Sequence, residues 1–176
     1  QAEPADLRAL ASARRAEEPH VILPTSGSTG QPKLVVRSAG SYEFDARVVS
    51  LGYEASEEPP HRILMTSTFA HTVGFFVLHG AIHLAAELCV PGELDTASRL
   101  VDAQRFDPTI IHVAPRTLRA LYKQHLEVDG GRGRIFGPSA RALNIGGAPV
   151  ENELLRYLLD QGVEPCEGYG ASETGV

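Results

Sequence analysis

Residues 23–33 read L-P-T-S-G-S-T-G-Q-P-K, directly after a short apolar stretch. The chemistry available is that of a cradle for a phosphate chain. Gly27 and Gly30 let backbone N–H groups turn toward an anion, the hydroxyls of Thr25, Ser26, Ser28 and Thr29 add neutral donors, and Lys33 adds a full positive charge. The run does not have the spacing of a P-loop, in which lysine follows the last glycine at once and a hydroxyl residue comes next. Here Gln31 and Pro32 separate Gly30 from Lys33, and Leu34 follows. A flexible Ser/Gly linker is the alternative, but a linker has no reason to set a proline-lysine pair before the apolar residues 34–36.

The segment 25–33 resembles the signature phosphate loop of the adenylate-forming superfamily, which comprises acyl- and aryl-CoA ligases, luciferases and nonribosomal peptide adenylation domains. Three further segments resemble that family in its order. Phe69-Ala70-His71-Thr72-Val73-Gly74 is similar to the stretch in which a histidine and a glycine border the acyl pocket. Asn144-Ile145-Gly146-Gly147-Ala148-Pro149 is similar to the G-G-A-P turn, and Glu167-Gly168-Tyr169-Gly170-Ala171-Ser172-Glu173-Thr174 to the G-Y-G-x-T-E motif. Ser172 stands where threonine is commoner, which keeps the hydroxyl and loses a methyl.

The resemblance implies a reaction. A carboxylic acid is joined to the α-phosphate of ATP, pyrophosphate leaves, and the acyl group passes to the thiol of CoA or of a phosphopantetheinyl carrier protein. Two anions must meet, so positioning and electrostatics carry most of the catalysis. The implied roles give Ser26, Ser28, Thr29 and Lys33 the β- and γ-phosphates, Ser172 the α-phosphate, and Glu173 the Mg2+ ion. Thr25, Gly27 and Gly30 complete the loop. Tyr169, flanked by Gly168 and Gly170, would lay its ring on the adenine, with Gly147, Ala148 and Pro149 closing the other side.

Substrate choice is implied by residues 69–74. Amino-acid-activating members carry an aspartate just after the phenylalanine to pair with the substrate ammonium, and this chain has Ala70 there. The expectation is a carboxylic acid without an α-amino group. Members specific for 2-hydroxybenzoates follow the histidine with asparagine, whereas Thr72 occupies that place and disfavours salicylate but not other aromatic acids. His71, Thr72, Gly74, Phe75, Ile145, Gly146 and Gly147 are expected to line the acyl pocket, with Phe76 and Val77 adding apolar wall for an aryl or medium alkyl group. His112, before Ala114-Pro115, is a further candidate for its border. His79 and His83 lie four apart on a predicted helix, but no nearby carboxylate or cysteine completes a metal site.

These residues need a scaffold, and the chain alternates strand and helix. Helices are predicted over residues 6–18, 38–53, 73–84, 95–105, 115–126 and 151–160, and strands over 20–24, 33–37, 62–67, 88–90, 109–113, 142–145 and 163–167. Ser38 or Ser41 is a candidate cap for the second helix, with Phe44, Val48 and Leu51 as its apolar stripe. Asp95 or Thr96 caps a later one, and Pro115 begins another. Residues 54–60 read as a surface turn and 129–139 as the least structured, mobile stretch. Repeated β-α-β units with apolar strands predict an α/β fold with a mostly parallel sheet and helices on both faces. Ligands of such sheets lie beyond the carboxyl ends of the strands, and each motif begins where a predicted strand ends.

Composition narrows the class. The 176 residues are 43% hydrophobic and 6% aromatic, without tryptophan, so aliphatic side chains must carry the core. A net charge of -6 argues against a nucleic-acid surface, and no apolar run approaches a membrane span. Cys89 and Cys166 lack C-x-x-C spacing and read as reduced core or pocket-wall residues of a cytoplasmic protein. The resemblance implies that residues 1–176 form one α/β subdomain within a larger AMP-binding N-terminal domain, without the C-terminal domain that bears the adenylation lysine. A piece of that extent is expected to be inactive alone. A non-catalytic nucleotide- or acyl-binding scaffold module that keeps the fold is the alternative function.

Overall fold

The apolar runs are used from both sides. The computed structural model describes residues 9, 12–25, 33–54, 60–93 and 95–175, with the side chains of 49–54 and 129 outside that set. Strands β3 (Arg62–Met65), β5 (Ile110–Val113) and β6 (Ala142–Gly146) occupy the middle of a five-stranded sheet, with β4 (Glu87–Cys89) and β7 (Glu164–Gly168) at its edges. The order is β4-β3-β5-β6-β7 and every pairing is parallel. Side chains alternate across such a sheet. Ile63, Met65 and Ile110 point to one face, where Phe76, Val77 and Ala81 of α2 (Thr72–His83) cover them. Leu64, Ile111, Val113, Leu143 and Ile145 point to the other, against α3 (Thr96–Phe106), α4 (Pro115–Asp129) and α5 (Asn152–Asp160). β7 is mostly exposed, so the predicted two-faced cover holds at the centre and lapses at that edge.

The first two strands do not join this sheet. β1 (Pro19–Thr25) and β2 (Lys33–Ser38) make an antiparallel ribbon of their own, and α1 (Ala39–Glu54) leaves it to pack on α2. Ser38 starts α1 by accepting from the Ser41 N–H at 3.3 Å. Of the helix expected over residues 6–18, positions 9, 12 and 13 are helical, whereas 14–18 are not: the chain turns there, the Glu18 N–H donating to the Arg15 carbonyl at 3.1 Å, and enters β1. Most of the turn expected over 54–60 lies outside the described residues.

Two expectations need correction. Phe44 and Val48 are not the inward stripe of α1: they are 63% and 41% exposed, while Tyr42, Asp45 and Ala46 are buried. Asp45 can face inward because Arg37 meets it there, and that pairing sets the helix rotation against the simple apolar pattern. The stretch 129–139 has no helix or strand beyond the end of α4, yet it is tightly pinned. Ile135 and Phe136 are fully buried, and the Ile135 N–H donates to Gln161 Oε1 at 3.0 Å. Ser139 donates through N–H and Oγ to the Asp107 carboxylate at 2.7 and 2.6 Å. Burial alone would raise the Asp107 carboxyl, but those hydrogen bonds and the Arg62 and Arg134 charges outweigh it and hold it below the ordinary range.

Helix ends follow local chemistry. Asp95 accepts from the Ser98 N–H at 3.0 Å to cap α3, Pro115 opens α4, and α4 ends one turn beyond the prediction at Gly130 in the left-handed conformation. Both cysteines are free; burial pushes the Cys89 thiol up to about 11, whereas Cys166 is exposed on β7 rather than in the core.

Candidate functional site

The chain passes from β3 through α2 to β4 on one side, then returns through α3 to β5 on the other side of β3. Helices switch faces at the same point, which opens a crevice beyond the carboxyl ends of β3 and β5. Thr66, just past β3, donates its hydroxyl to the His112 carbonyl at 2.8 Å across the base of that crevice. Residues 68–72 lead from it into α2. His71 caps the helix, its Nδ1 accepting from the Val73 N–H at 3.2 Å, and is exposed.

The motif residues converge from three directions. Thr72 and Ser172 bring their hydroxyls to 2.8 Å, a link across one hundred positions. The Ser172 carbonyl accepts from Arg37 Nη1 at 3.1 Å, which ties the same residue to β2, whose first residue is Lys33. Thr25 and Lys33 are partners across the ribbon, and the Thr25 hydroxyl donates to the Lys33 carbonyl at 3.4 Å. Both ends of segment 26–32 are therefore anchored at one end of the ribbon. Ser26, Gly27, Ser28, Thr29 and Gly30 lie outside the described residues.

Residues 171–175 form a closed turn: Ala171 and Gly175 exchange backbone hydrogen bonds of 3.0 and 2.8 Å. It presents Glu173 to solvent, without an ion pair among the described residues. No group of three or more histidine, cysteine, aspartate or glutamate side chains among the described residues could hold a metal. A lone exposed carboxylate fits magnesium that takes its remaining ligands from water and substrate phosphates, not an all-protein cage.

A groove of about 500 Å³ runs beside this turn. β6 and β7 end in register, Ile145 opposite Glu167 and Gly146 opposite Gly168, so the segments beyond them form its two walls. Gly147, Ala148 and Pro149 make one wall and Tyr169 with Gly170 the other. Tyr169 is 94% exposed, an aromatic face left open by the described residues. Such a slot suits a flat heterocycle. Arg119 braces the Pro149 wall from outside, donating to the Pro149 carbonyl at 2.9 Å and to both Glu151 carboxylate oxygens at 2.7 and 2.8 Å.

The predicted acyl-pocket wall is dispersed. Phe76 and Val77 lie in the core on one face of the sheet and Ile145 in the core on the other, although Ile145 also reaches the groove. Phe75 points away from both, into an aromatic cluster with Tyr42, His79 and His20 at centroid distances of 5.0, 4.7 and 5.8 Å. Successive helix residues are turned about 100° apart, so three in a row cannot all share one face. Gly74 is where the 68–69 backbone crosses α2: a Cβ there would sit 2.1 Å from the Thr68 carbonyl oxygen.

His79 is occupied structurally. Its Nδ1 donates to the Phe75 carbonyl at 2.9 Å, which leaves Nε2 to accept from His20 Nε2 at 3.2 Å. Burial, then the His79 and Arg14 charges, lowers the His20 pKa. His112 is buried on β5 with its ring edge toward Phe76, and burial pushes its imidazole down to about 4. Its folded value lies below the unfolded one, so the stability linked to its neutrality is complete above pH 6.5. It declines as the pH falls from there through about 4, a loss of roughly 3 kcal/mol. Urea melts between pH 7 and 4.5 should show this slope, and a His112→Asn chain a shallower one.

Sequence reasoning missed Arg37, Asp45 and Arg119. Arg37 and Asp45 form an ion pair of 2.8 Å, with side chains 5% and 4% exposed. The one signal was a second charged residue, after Lys33, in a strand of otherwise apolar or small residues, and nothing in its spacing named a partner.

Comparisons with known proteins bear on the family and the fold. A family model described as AMP-binding enzyme matches residues 2–176. The chain is 23% identical to the long-chain-fatty-acid–CoA ligase FadD15 of Mycobacterium bovis, over 98% of this chain and 36% of that protein. It is 30% identical to D-lysergyl-peptide-synthetase subunit 2 of Claviceps purpurea, over 86% of this chain and 11% of that protein. The fold superposes on O-succinylbenzoate CoA synthetase of Bacillus subtilis in complex with ATP and magnesium ion, with TM-score 0.75 and 23% identity, over 93% of this chain and 32% of that one. The chain thus spans about a third of the length of such CoA ligases.

Proposed function

Because the chain belongs to the family of AMP-binding enzymes, we propose that it forms the nucleotide- and acyl-binding part of an ATP-dependent acid–thiol ligase. The acid is a non-amino aryl or alkyl carboxylic acid. Its carboxylate oxygen bonds to the α-phosphorus, the bond from that phosphorus to the bridging oxygen breaks, and pyrophosphate leaves with the electron pair. The thiol of CoA or of a carrier protein then gives up its proton and bonds to the acyl carbon, the bond from that carbon to the phosphate oxygen breaks, and AMP leaves. The observation that carries this reading is the joining of Thr72, Ser172 and the Lys33-bearing strand beside the Tyr169 groove.

In this reading each residue has a task. Lys33, at the mouth of the ribbon, neutralises the β- and γ-phosphates, helped by the hydroxyls of residues 25–29. Ser172 donates toward the α-phosphate, and its neighbour Glu173 would hold magnesium, which supplies a charge clamp on the phosphate oxygens. Tyr169 and Gly147-Ala148-Pro149 sandwich the adenine. His71 and Thr72, exposed or half-buried at the start of α2, border the acyl group, and Ala70 leaves no carboxylate for a substrate ammonium. No described helix is long and apolar enough to cross a membrane. A cytoplasmic location, where ATP is at hand, is part of the proposal.

The complete reaction belongs to the intact protein, within which this chain is one α/β subdomain. Exchange of labelled pyrophosphate into ATP, measured on that protein with a panel of aryl, alkyl and amino acids, should respond to non-amino acids. Exchange with amino acids alone would sink the Ala70 argument; none with any acid would favour a non-catalytic binding module.

A further inference from the structure

Arg37 has no part in the assignments above, yet its guanidinium is the most connected group near the site. Nε donates to the Ser41 hydroxyl at 3.1 Å, Nη2 to Asp45 Oδ2 at 2.8 Å and Nη1 to the Ser172 carbonyl at 3.1 Å. Its carbon lies 5.2 Å from the Tyr42 ring centroid. One rigid, planar cation thus grips α1 on two edges and the 171–175 turn on the third. Asp45 supports the same turn directly. Gly175, at φ +83°, lies so close that a Cβ would come within 2.4 Å of Asp45 Oδ1.

Ser172 is consequently held twice, at its carbonyl by Arg37 and at its hydroxyl by Thr72. The strand that supplies Arg37 begins at Lys33, four residues earlier. We propose that Arg37, locked by Asp45, is a positioning residue for adenylation: it fixes the Ser172 hydroxyl relative to Lys33 so that both meet one triphosphate. The inference rests on the ligase reading above and assigns Arg37 no contact with substrate. A hydroxyl misplaced by about 1 Å costs on the order of 100-fold in rate.

Simple deletion of one charge would leave the other buried and confuse folding with catalysis. Two variants of the intact protein avoid this. Arg37→Lys keeps a cation for Asp45, but its single nitrogen cannot reach acceptors that are spread around three separate nitrogens of the guanidinium. Arg37→Met combined with Asp45→Leu replaces the pair with apolar volume, a change that buried ion pairs often tolerate. In acid-dependent pyrophosphate exchange, each folded variant should lose about 100-fold in kcat, with KM for ATP and acid changed less than about threefold. Adding Ser172→Ala to Arg37→Lys should cost little beyond Ser172→Ala alone, because both act through one hydroxyl. Parental kcat in either folded variant, or losses that multiply in the combined variant, would overturn the proposal. A parental protein without exchange would instead overturn the ligase reading, and the inference with it.

Discussion

Exchange of Glu173 for glutamine is expected to lower acid-dependent adenylation by about 100- to 1,000-fold, the usual cost of removing one electrostatic stabiliser of a charged transition state. Folding should be unaffected, since Glu173 is exposed and makes no ion pair among the described residues. The turn that carries it is closed by its own backbone and seated on Asp45, so glutamine keeps the shape and one oxygen and loses only the charge. Single-turnover adenylate formation, titrated with magnesium, reads the effect: the variant should need more metal and remain slower at saturation. A parental rate at every magnesium concentration would show that Glu173 does not hold the ion.

Gly74→Ala should produce the largest loss of stability. The added methyl would meet the Thr68 carbonyl oxygen at 2.1 Å, the Thr68 carbonyl carbon at 2.7 Å and the Phe69 nitrogen at 3.2 Å. All three are backbone atoms, so no rotamer change relieves the clash. The segment would have to lift off α2 and carry with it the turn in which the His71 N–H donates to the Thr68 carbonyl. Overpacking of this kind costs about 3 kcal/mol, or roughly 10 °C in Tm for a chain of this size. Gly80 on the same helix is the control. A Cβ there meets nothing within 4 Å, and Gly80→Ala should gain up to about 1 kcal/mol from helix propensity. Equal melting temperatures for Gly74→Ala and the parental chain would remove the close crossing as the reason for glycine.

Legibility in the sequence followed the range of the cause. Element type was readable wherever apolar residues were bounded by a breaker or a cap, as at Asp95 and Pro115. The rotation of α1 was not readable, because the burial of Tyr42 and Asp45 in place of Phe44 depends on a cation eight positions away on another element. Nor was the anchoring of residues 129–139, a polar and glycine-rich stretch fixed by Asp107, Gln161 and two buried apolar residues. The apolar wall expected from consecutive residues 75–77 is divided between faces of the helix: Phe75 faces α1 while Phe76 and Val77 face the sheet.

The sequence by itself determined the family, the parallel α/β class and the chemistry available at each motif, since these rest on residue types and local spacing. Tertiary structure alone decided which groups meet. It set Thr72 against Ser172, put Arg37 under the Ser172 carbonyl, gave the ribbon its own sheet and opened the groove between the ends of β6 and β7. The physical reason is that a hydrogen bond or buried ion pair joins atoms whose distance along the chain carries no information about their distance in space. It forms only where packing has already brought both partners out of water, which the strand order and the helix faces determine together.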